Sequence, residues 1–378
     1  MRIGVDASFI DPGRVGGAEH MLMNLVDGLA ATAEEGDAID VLTDHPWAAP
    51  APVRFAALKG GGNRFLRITR TLQGRLDRYD AFLFANYFTP PFPRTQKRPR
   101  FVTVIHDLQY LHLAENFSKQ KRAWLRATHE ATLRLADTTV AISDDVRDDI
   151  LASYGAKWAS RVRTVHNPVS WDRFGPDAEA GPPPVEGTYI LAVAAHYPHK
   201  NLETLIRAFA QIRSAGTHLD TKLVLAGQLG ENLSGIAFYR PLRQVIDDLG
   251  LADAVHVTGY LDDHRLGDAY RYATVFAFPS LFEGFALPPV EALGFGLPVL
   301  TSRRTAIPEV TLGIATYLDD PMDVMIMAER LTAMLDDPAA FRPSAQDVAR
   351  IRDTYAPARI GAAYRALLAG RTDAEGTA

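Results

Sequence analysis

None of the 378 residues is a cysteine, which excludes a disulfide framework, a thiolate metal site and a cysteine nucleophile. No apolar run reaches the roughly 18 residues that would read as a membrane-spanning helix. The opening MRIGVDASFI reads as a first strand and lacks the plan of a secretory leader, so the expectation is a cytoplasmic protein. No internal repeat or low-complexity run stands out, and no Asp-x-Asp constellation sits at a strand end, which argues against a catalytic metal. The net charge of −5 and the lack of a recognised motif disfavour nucleic-acid binding.

What is present is ordinary for a globular chain that can bury a sizeable core in two domains: 47% hydrophobic and 22% charged residues. The charge is unevenly spread. Residues 1–170 hold 22 Lys+Arg against 19 Asp+Glu, and the remainder 18 against 26. The first half is therefore the part suited to an acidic partner or membrane surface.

The most informative stretch is FPSLFEGFALPPVEALGFGLP, Phe278 to Pro298. An apolar run, Thr274 to Phe278, has the composition of a buried strand. A loop with Glu283 and Gly284 follows, and Pro289 is expected to open a helix carrying Glu291 in its first turn. A helix N-terminus behind a glycine-containing loop is an anion site suited to phosphate. Two carboxylates that accept hydrogen bonds from hydroxyls flank it, a combination that fits a sugar phosphate or nucleotide. The bland reading makes Glu291 a helix-start charge worth about 0.3–1 kcal/mol and Glu283 a surface residue.

From Pro279 to Ser302 this stretch, with seven residues between Glu283 and Glu291, closely resembles the signature of the family 4 retaining glycosyltransferases. The resemblance implies an α/β chain of the GT-B fold, two Rossmann-like domains with parallel sheets facing across a cleft. The domains expected are 1–170 on the acceptor side, a linker over 171–187 containing Pro182-Pro183-Pro184, a nucleotide-sugar-binding domain over 188–352, and a helix over 353–370 crossing back to the first domain.

Other segments take roles from the same resemblance. Gly16 and Gly17, between the first strand and a helix marked by Met21, Leu22, Leu25, Val26 and Leu29, fall where the family's glycine-rich loop faces the donor diphosphate and the acceptor. His106, after the strand Phe101 to Ile105, matches a histidine facing the donor sugar, with Asp107 orienting locally. His112 and His129 are expected at loop and helix surfaces, and His166-Asn167-Pro168-Val169 resembles the family's segment closing the first domain. Lys200, at the junction between the strand Tyr189 to Ala194 and a helix starting near Asn201, stands where an ammonium neutralises a diphosphate. The family's preceding arginine is absent; its place falls at Ala195 or His196, so a two-cation clamp requires His196. Tyr260 lies where the family contacts the nucleobase, while Thr305 to Glu309 receives no role. Gly284, Phe285, Ala286 and Leu287 supply the loop that cradles phosphate.

The implied reaction moves a hexose from a nucleotide sugar to an acceptor hydroxyl with anomeric configuration retained. Glu283 would hold sugar hydroxyls, Glu291 the ribose hydroxyls, and Lys200 the leaving diphosphate, with no protein nucleophile and no required cofactor. The EGF-x-LPP-x-E variant with its HKN segment favours GDP-mannose, with UDP- and dTDP-sugars next. The acceptor is a glycan, a lipid-linked glycan or a small molecule. A phosphorylase or epimerase on the same fold fits less well, and a catalytically silent sugar-binding or partner-binding protein is the contrasting class. Finally, Asn63 to Asp80 reads as a basic amphipathic helix with Arg64, Arg67, Arg70, Arg75 and Arg78 on one arc. Such a face is most often simply solvated. The alternative, supported by clusters at Arg94–Arg100 and Lys119–Arg126, is docking to anionic lipid or a phosphate-bearing acceptor.

Overall fold

The computed structural model describes residues 1–11, 17–92, 98–227 and 241–371. The chain forms two compact units, Met1–Ser170 with Thr354–Ala378, and Trp171–Asp353. Each is an alternation of strands and helices around a parallel sheet, the Rossmann-like layering that such alternation dictates.

In the first unit the strands are β1 Arg2–Asp6, β2 Ala38–Leu42, β3 Val53–Ala56, β4 Ala81–Phe84, β5 Arg100–Ile105, β6 Thr138–Ala141 and β7 Val162–Thr164. They pair in parallel in the order β3-β2-β1-β4-β5-β6-β7. The sheet's central strands are near-continuous apolar runs because both faces are covered; every residue of β4 is buried. The helix Gly17–Ala31 buries Met21, Leu22, Leu25, Val26 and Leu29. The final helix, Pro357–Leu368, packs across it so tightly that a Cβ on Gly361 would lie 2.2 Å from the backbone of Gly28. Only glycine permits that backbone contact. Val169 N–H also donates to the Tyr355 carbonyl at 2.8 Å, tying the end of the N-terminal portion to the returning chain.

Two expectations are corrected here. The basic segment is helical only over Arg64–Leu72, capped by Asn63; Gly74 adopts φ +71°, and a short 3-10 turn, Leu76–Arg78, follows. Its arginines are also engaged locally. Arg67 pairs with Asp44 at 2.5 Å and donates to the Gly60 carbonyl at 2.9 Å, and Arg70 donates to the Gly61 carbonyl at 2.8 Å. His129, expected at a helix surface, is buried and stacked on Tyr87 with ring centroids 5.0 Å apart. Burial pushes its imidazole down to about 4, so the ring packs as a neutral aromatic.

The second unit contains β8 Tyr189–Val193, β9 Lys222–Ala226, β10 Val255–Gly259, β11 Val275–Phe278, β12 Val299–Ser302 and β13 Thr316–Leu318. They pair in parallel in the order β10-β9-β8-β11-β12-β13. The order reverses between β8 and β11, and at such a switch point the connections leave on opposite faces and open a crevice at the carboxyl ends.

The stretch Trp171–Gly187, read from sequence as a linker, folds onto this unit at its start. Phe174 is buried against Tyr270 and Phe295, with centroids 5.8 and 5.2 Å away. Trp171 rests where a Cβ on Gly294 would come within 2.1 Å of its indole.

Candidate functional site

The second unit's site forms where the loops after β8 and β11 diverge. After β11 the chain runs through Glu283 to Ala286, which takes the left-handed conformation (φ 65°) and redirects the backbone into the helix Leu287–Gly294. The helix thus begins two residues before Pro289, and Glu291 lies beyond its first turn, correcting the expected start. The N–H groups of a first helical turn have no intrahelical partner. Pro288 and Pro289 carry none, so the N–H groups at this helix start belong to Ala286 and Leu287, at the positive end of the helix dipole.

The loop after β8 brings Lys200 against this motif. Its Nζ donates to Glu283 Oε1 at 2.6 Å and lies 5.6 Å from the centroid of Phe278. Both side chains are mostly shielded, at 18% and 11% exposure, so their attraction is screened less than that of a surface contact. Sequence reasoning missed what fixes it. Asn201, left-handed at φ 57°, donates to the carbonyls of Pro279 at 3.2 Å and Pro321 at 2.8 Å, locking the two loops together. Thr305, given no role before, accepts the Glu283 N–H at 3.0 Å. An asparagine placed just before a helix is the one available signal, since it tolerates the left-handed region.

His196 is 3% exposed, and neither of its ring nitrogens has a hydrogen-bond partner among the described residues. Burial pushes it down to about 4. His199 is also lowered to about 4, by burial first and by the Lys200 charge second. Both are neutral at pH 7, so Lys200 has no second cation supplied by His196.

Glu291 is buried, and each of its carboxylate oxygens accepts one hydrogen bond from the protein. Arg173 Nη2 donates to Oε1 at 2.5 Å and Tyr270 Oη to Oε2 at 2.8 Å, while Arg173 Nη1 reaches Asp263 Oδ1 at 2.7 Å. Tyr260 stands exposed just past β10, at 56%. No helix among the described residues is long and apolar enough to cross a membrane, and no group of three or more His, Asp or Glu side chains gathers to hold a metal.

In the first unit, Gly17 opens its helix at an exposed position, and Gly16 lies outside the described residues. His106 follows β5, and its Nε2 lies 3.0 Å from the Ala85 carbonyl. A carbonyl only accepts, so the proton sits on Nε2 and Nδ1 is the acceptor nitrogen. Burial lowers the pKa of this imidazole. Asp107 Oδ1 accepts the Gln109 N–H at 2.9 Å, a local turn contact. Asp6, unremarked in the sequence, ends β1 on the same sheet edge; burial raises its carboxyl, and Oδ1 accepts the Ser8 N–H at 2.9 Å.

Known proteins place the chain. A model described as Glycosyltransferase Family 4 matches residues 15–173, and one described as Glycosyl transferases group 1 matches residues 177–351. The chain belongs to these glycosyltransferases. It is 29% identical over 259 residues to O-antigen chain mannosyltransferase B of Escherichia coli, covering 66% of this chain and 65% of that protein. It is 33% identical over 213 residues to D-inositol 3-phosphate glycosyltransferase 2 of Catenulispora acidiphila, covering 54% and 49%. The chain therefore matches about half to just under two thirds of the length of these curated relatives. Among solved structures, sucrose-phosphate synthase from Thermosynechococcus elongatus superposes with a TM-score of 0.80 at 21% identity, covering 98% of this chain and 100% of that one. HepE of Anabaena in complex with UDP-glucose gives 0.71 at 18%, covering 98% and 100%. These likenesses establish the GT-B fold.

Proposed function

We propose that this protein is a retaining glycosyltransferase that moves a hexose from a nucleoside-diphosphate sugar, GDP-mannose foremost, to an acceptor hydroxyl of a glycan, glycolipid or natural product. The observation that carries this reading is the shielded Lys200–Glu283 pair at the N-terminus of the Leu287–Gly294 helix, at the switch point of a parallel sheet.

The barrier in such a transfer lies in expelling the diphosphate while positive charge grows on the sugar. Lys200 and the amides between Gly284 and Leu287 stabilise the departing charge, and stabilisation of this kind costs no reorganisation when its donors are prefixed. Asn201 and Thr305 do the prefixing. Glu283, oriented by Lys200, accepts from sugar hydroxyls, and Glu291 accepts from ribose hydroxyls. His196 serves the diphosphate as one neutral N–H donor, in place of the family's arginine. Tyr260 offers an exposed ring to the base. In the first unit, Gly17 approaches the ligand by backbone, and neutral His106 accepts from a sugar hydroxyl through Nδ1. No step needs a metal.

Mannose is favoured by the EGF-x-LPP-x-E and HKN residues and by the mannosyltransferase relative. Peripheral contact with an anionic membrane is proposed for exposed Lys119, Lys121, Trp124 and Arg126 rather than for Arg67 and Arg70, which are held by Asp44 and by loop carbonyls.

The test is release of nucleoside diphosphate from GDP-mannose, UDP-glucose and dTDP-rhamnose, with and without EDTA. Metal-independent release that collapses in Glu283→Ala supports the reading. Release unaffected by Glu283→Ala, or abolished by EDTA, contradicts the assigned mechanism. No release from any donor leaves the silent sugar-binding alternative in possession.

A further inference from the structure

Glu291 has a feature that the ribose reading alone does not explain: both of its oxygens already accept from the protein. Arg173 donates to one at 2.5 Å and Tyr270 to the other at 2.8 Å, and the carboxylate lies in a residue only 4% exposed. Arg173 also bonds Asp263 at 2.7 Å, so its guanidinium is held from two sides. A planar fork anchored twice cannot swing away as a lysine would.

The backbone around Arg173 is fixed as firmly. Trp171 Nε1 donates to the Glu291 carbonyl at 3.3 Å and lies where any side chain at Gly294 would strike it. On the other side, Phe174 packs where a Cβ on Gly267 would come within 2.8 Å. Arg271 donates to the Phe174 carbonyl at 3.2 Å. Trp171 and Arg173 thus meet the helix that carries Glu291, while Phe174 packs on the neighbouring helix Asp263–Tyr272.

We propose that Arg173 is a positioning residue for nucleotide recognition. Anchored by Asp263 and joined by Tyr270, it holds the Glu291 carboxylate in one rotamer, so that its remaining lone pairs are directed at the two hydroxyls of a ribose. This rests on the ribose reading of Glu291 and deepens it: selectivity for a ribonucleotide is set by Arg173, which never touches the ligand. A carboxylate oxygen has two acceptor directions, so the arrangement leaves one on each oxygen beyond the protein bonds.

The test titrates GDP, UDP and their 2′,3′-dideoxy counterparts into the wild-type protein, Glu291→Gln, Arg173→Gln, Arg173→Lys and Tyr270→Phe, each checked for folding by thermal unfolding. The wild type should prefer the ribonucleotide by about tenfold, the worth of one or two hydroxyl contacts. Glu291→Gln and folded Arg173→Gln should both lose most of that preference while keeping affinity for the dideoxy form within about twofold. Arg173→Lys should recover part of it, and Tyr270→Phe should lose part.

A folded Arg173→Gln that keeps the full preference while Glu291→Gln loses it overturns the positioning role and leaves the ribose reading standing. No preference in the wild type overturns both. Should Arg173→Gln fail to fold, Arg173→Lys decides, because it keeps the charge and loses the fork that grips Glu291 and Asp263 together. A full preference there overturns the proposal, and a reduced one supports it.

Discussion

At the carboxyl edge of the second unit's sheet the polar side chains are paired ionically: Lys200 with Glu283, Arg173 with Glu291 and Asp263. At the same edge of the first unit, His106 is lowered by burial and bonded to a carbonyl, and the Asp6 carboxyl is raised by burial. The first arrangement is built from charge pairs, and the second from groups that burial pushes toward their neutral forms. The contrast follows from local dielectric: matched opposite charges keep each other ionised, whereas a titratable group buried without such a partner drifts toward neutrality.

The largest expected effect breaks the ionic side. Lys200→Ala should lower the donor-cleavage rate by 10²-fold or more, on the order of 3 kcal/mol, whereas His106→Ala should cost about tenfold. Steady-state kinetics at saturating donor checks this, and equal losses would erase the contrast.

Next comes acid stability. His129 in the first unit and His196 and His199 in the second are each lowered to about 4. The unfolded chain binds their protons at higher pH than the native one, so stability is fully present above about 6.5 and falls as pH drops toward 4. Each histidine contributes a slope of at most about 1.4 kcal/mol per pH unit. Denaturant unfolding from pH 7 to 4.5 should show the slope, and His129→Phe should reduce it by one proton.

A smaller effect sharpens the comparison within the second unit. His196→Gln should weaken nucleoside-diphosphate binding only a few-fold, because a neutral donor is worth about 1 kcal/mol. A loss as large as that of Lys200→Ala would mean the imidazole acts as a cation. The smallest effect concerns lipid. Lys121→Ala with Arg126→Ala should weaken cosedimentation with anionic vesicles by about 1 kcal/mol per charge. Indifference would remove the membrane from the account.

Legibility followed contiguity. The run from Phe278 to Pro298 displays strand, loop and helix in one stretch, so Glu283 and its setting were readable without coordinates. Arg173 was not: its partner Glu291 lies 118 residues away, and its neighbourhood of glycine and proline carried a linker's composition. The early start of the Leu287–Gly294 helix was hidden because Ala286, not a glycine, takes the left-handed turn. The basic helix misled because charge periodicity says nothing about the loop carbonyls and Asp44 that engage its arginines. His129 was misplaced because its aromatic partner, Tyr87, sits on another element.

The central claim is that Lys200 and the loop beginning at Glu283 form a nucleoside-diphosphate site. Isothermal titration of GDP, UDP, dTDP and ADP into the wild type and Lys200→Ala tests it most directly. The account predicts one preferred nucleotide, GDP foremost, with affinity lost by tenfold or more in Lys200→Ala, a change of about 1.4 kcal/mol. Binding that survives Lys200→Ala unchanged, or no binding of any of the four, would contradict it.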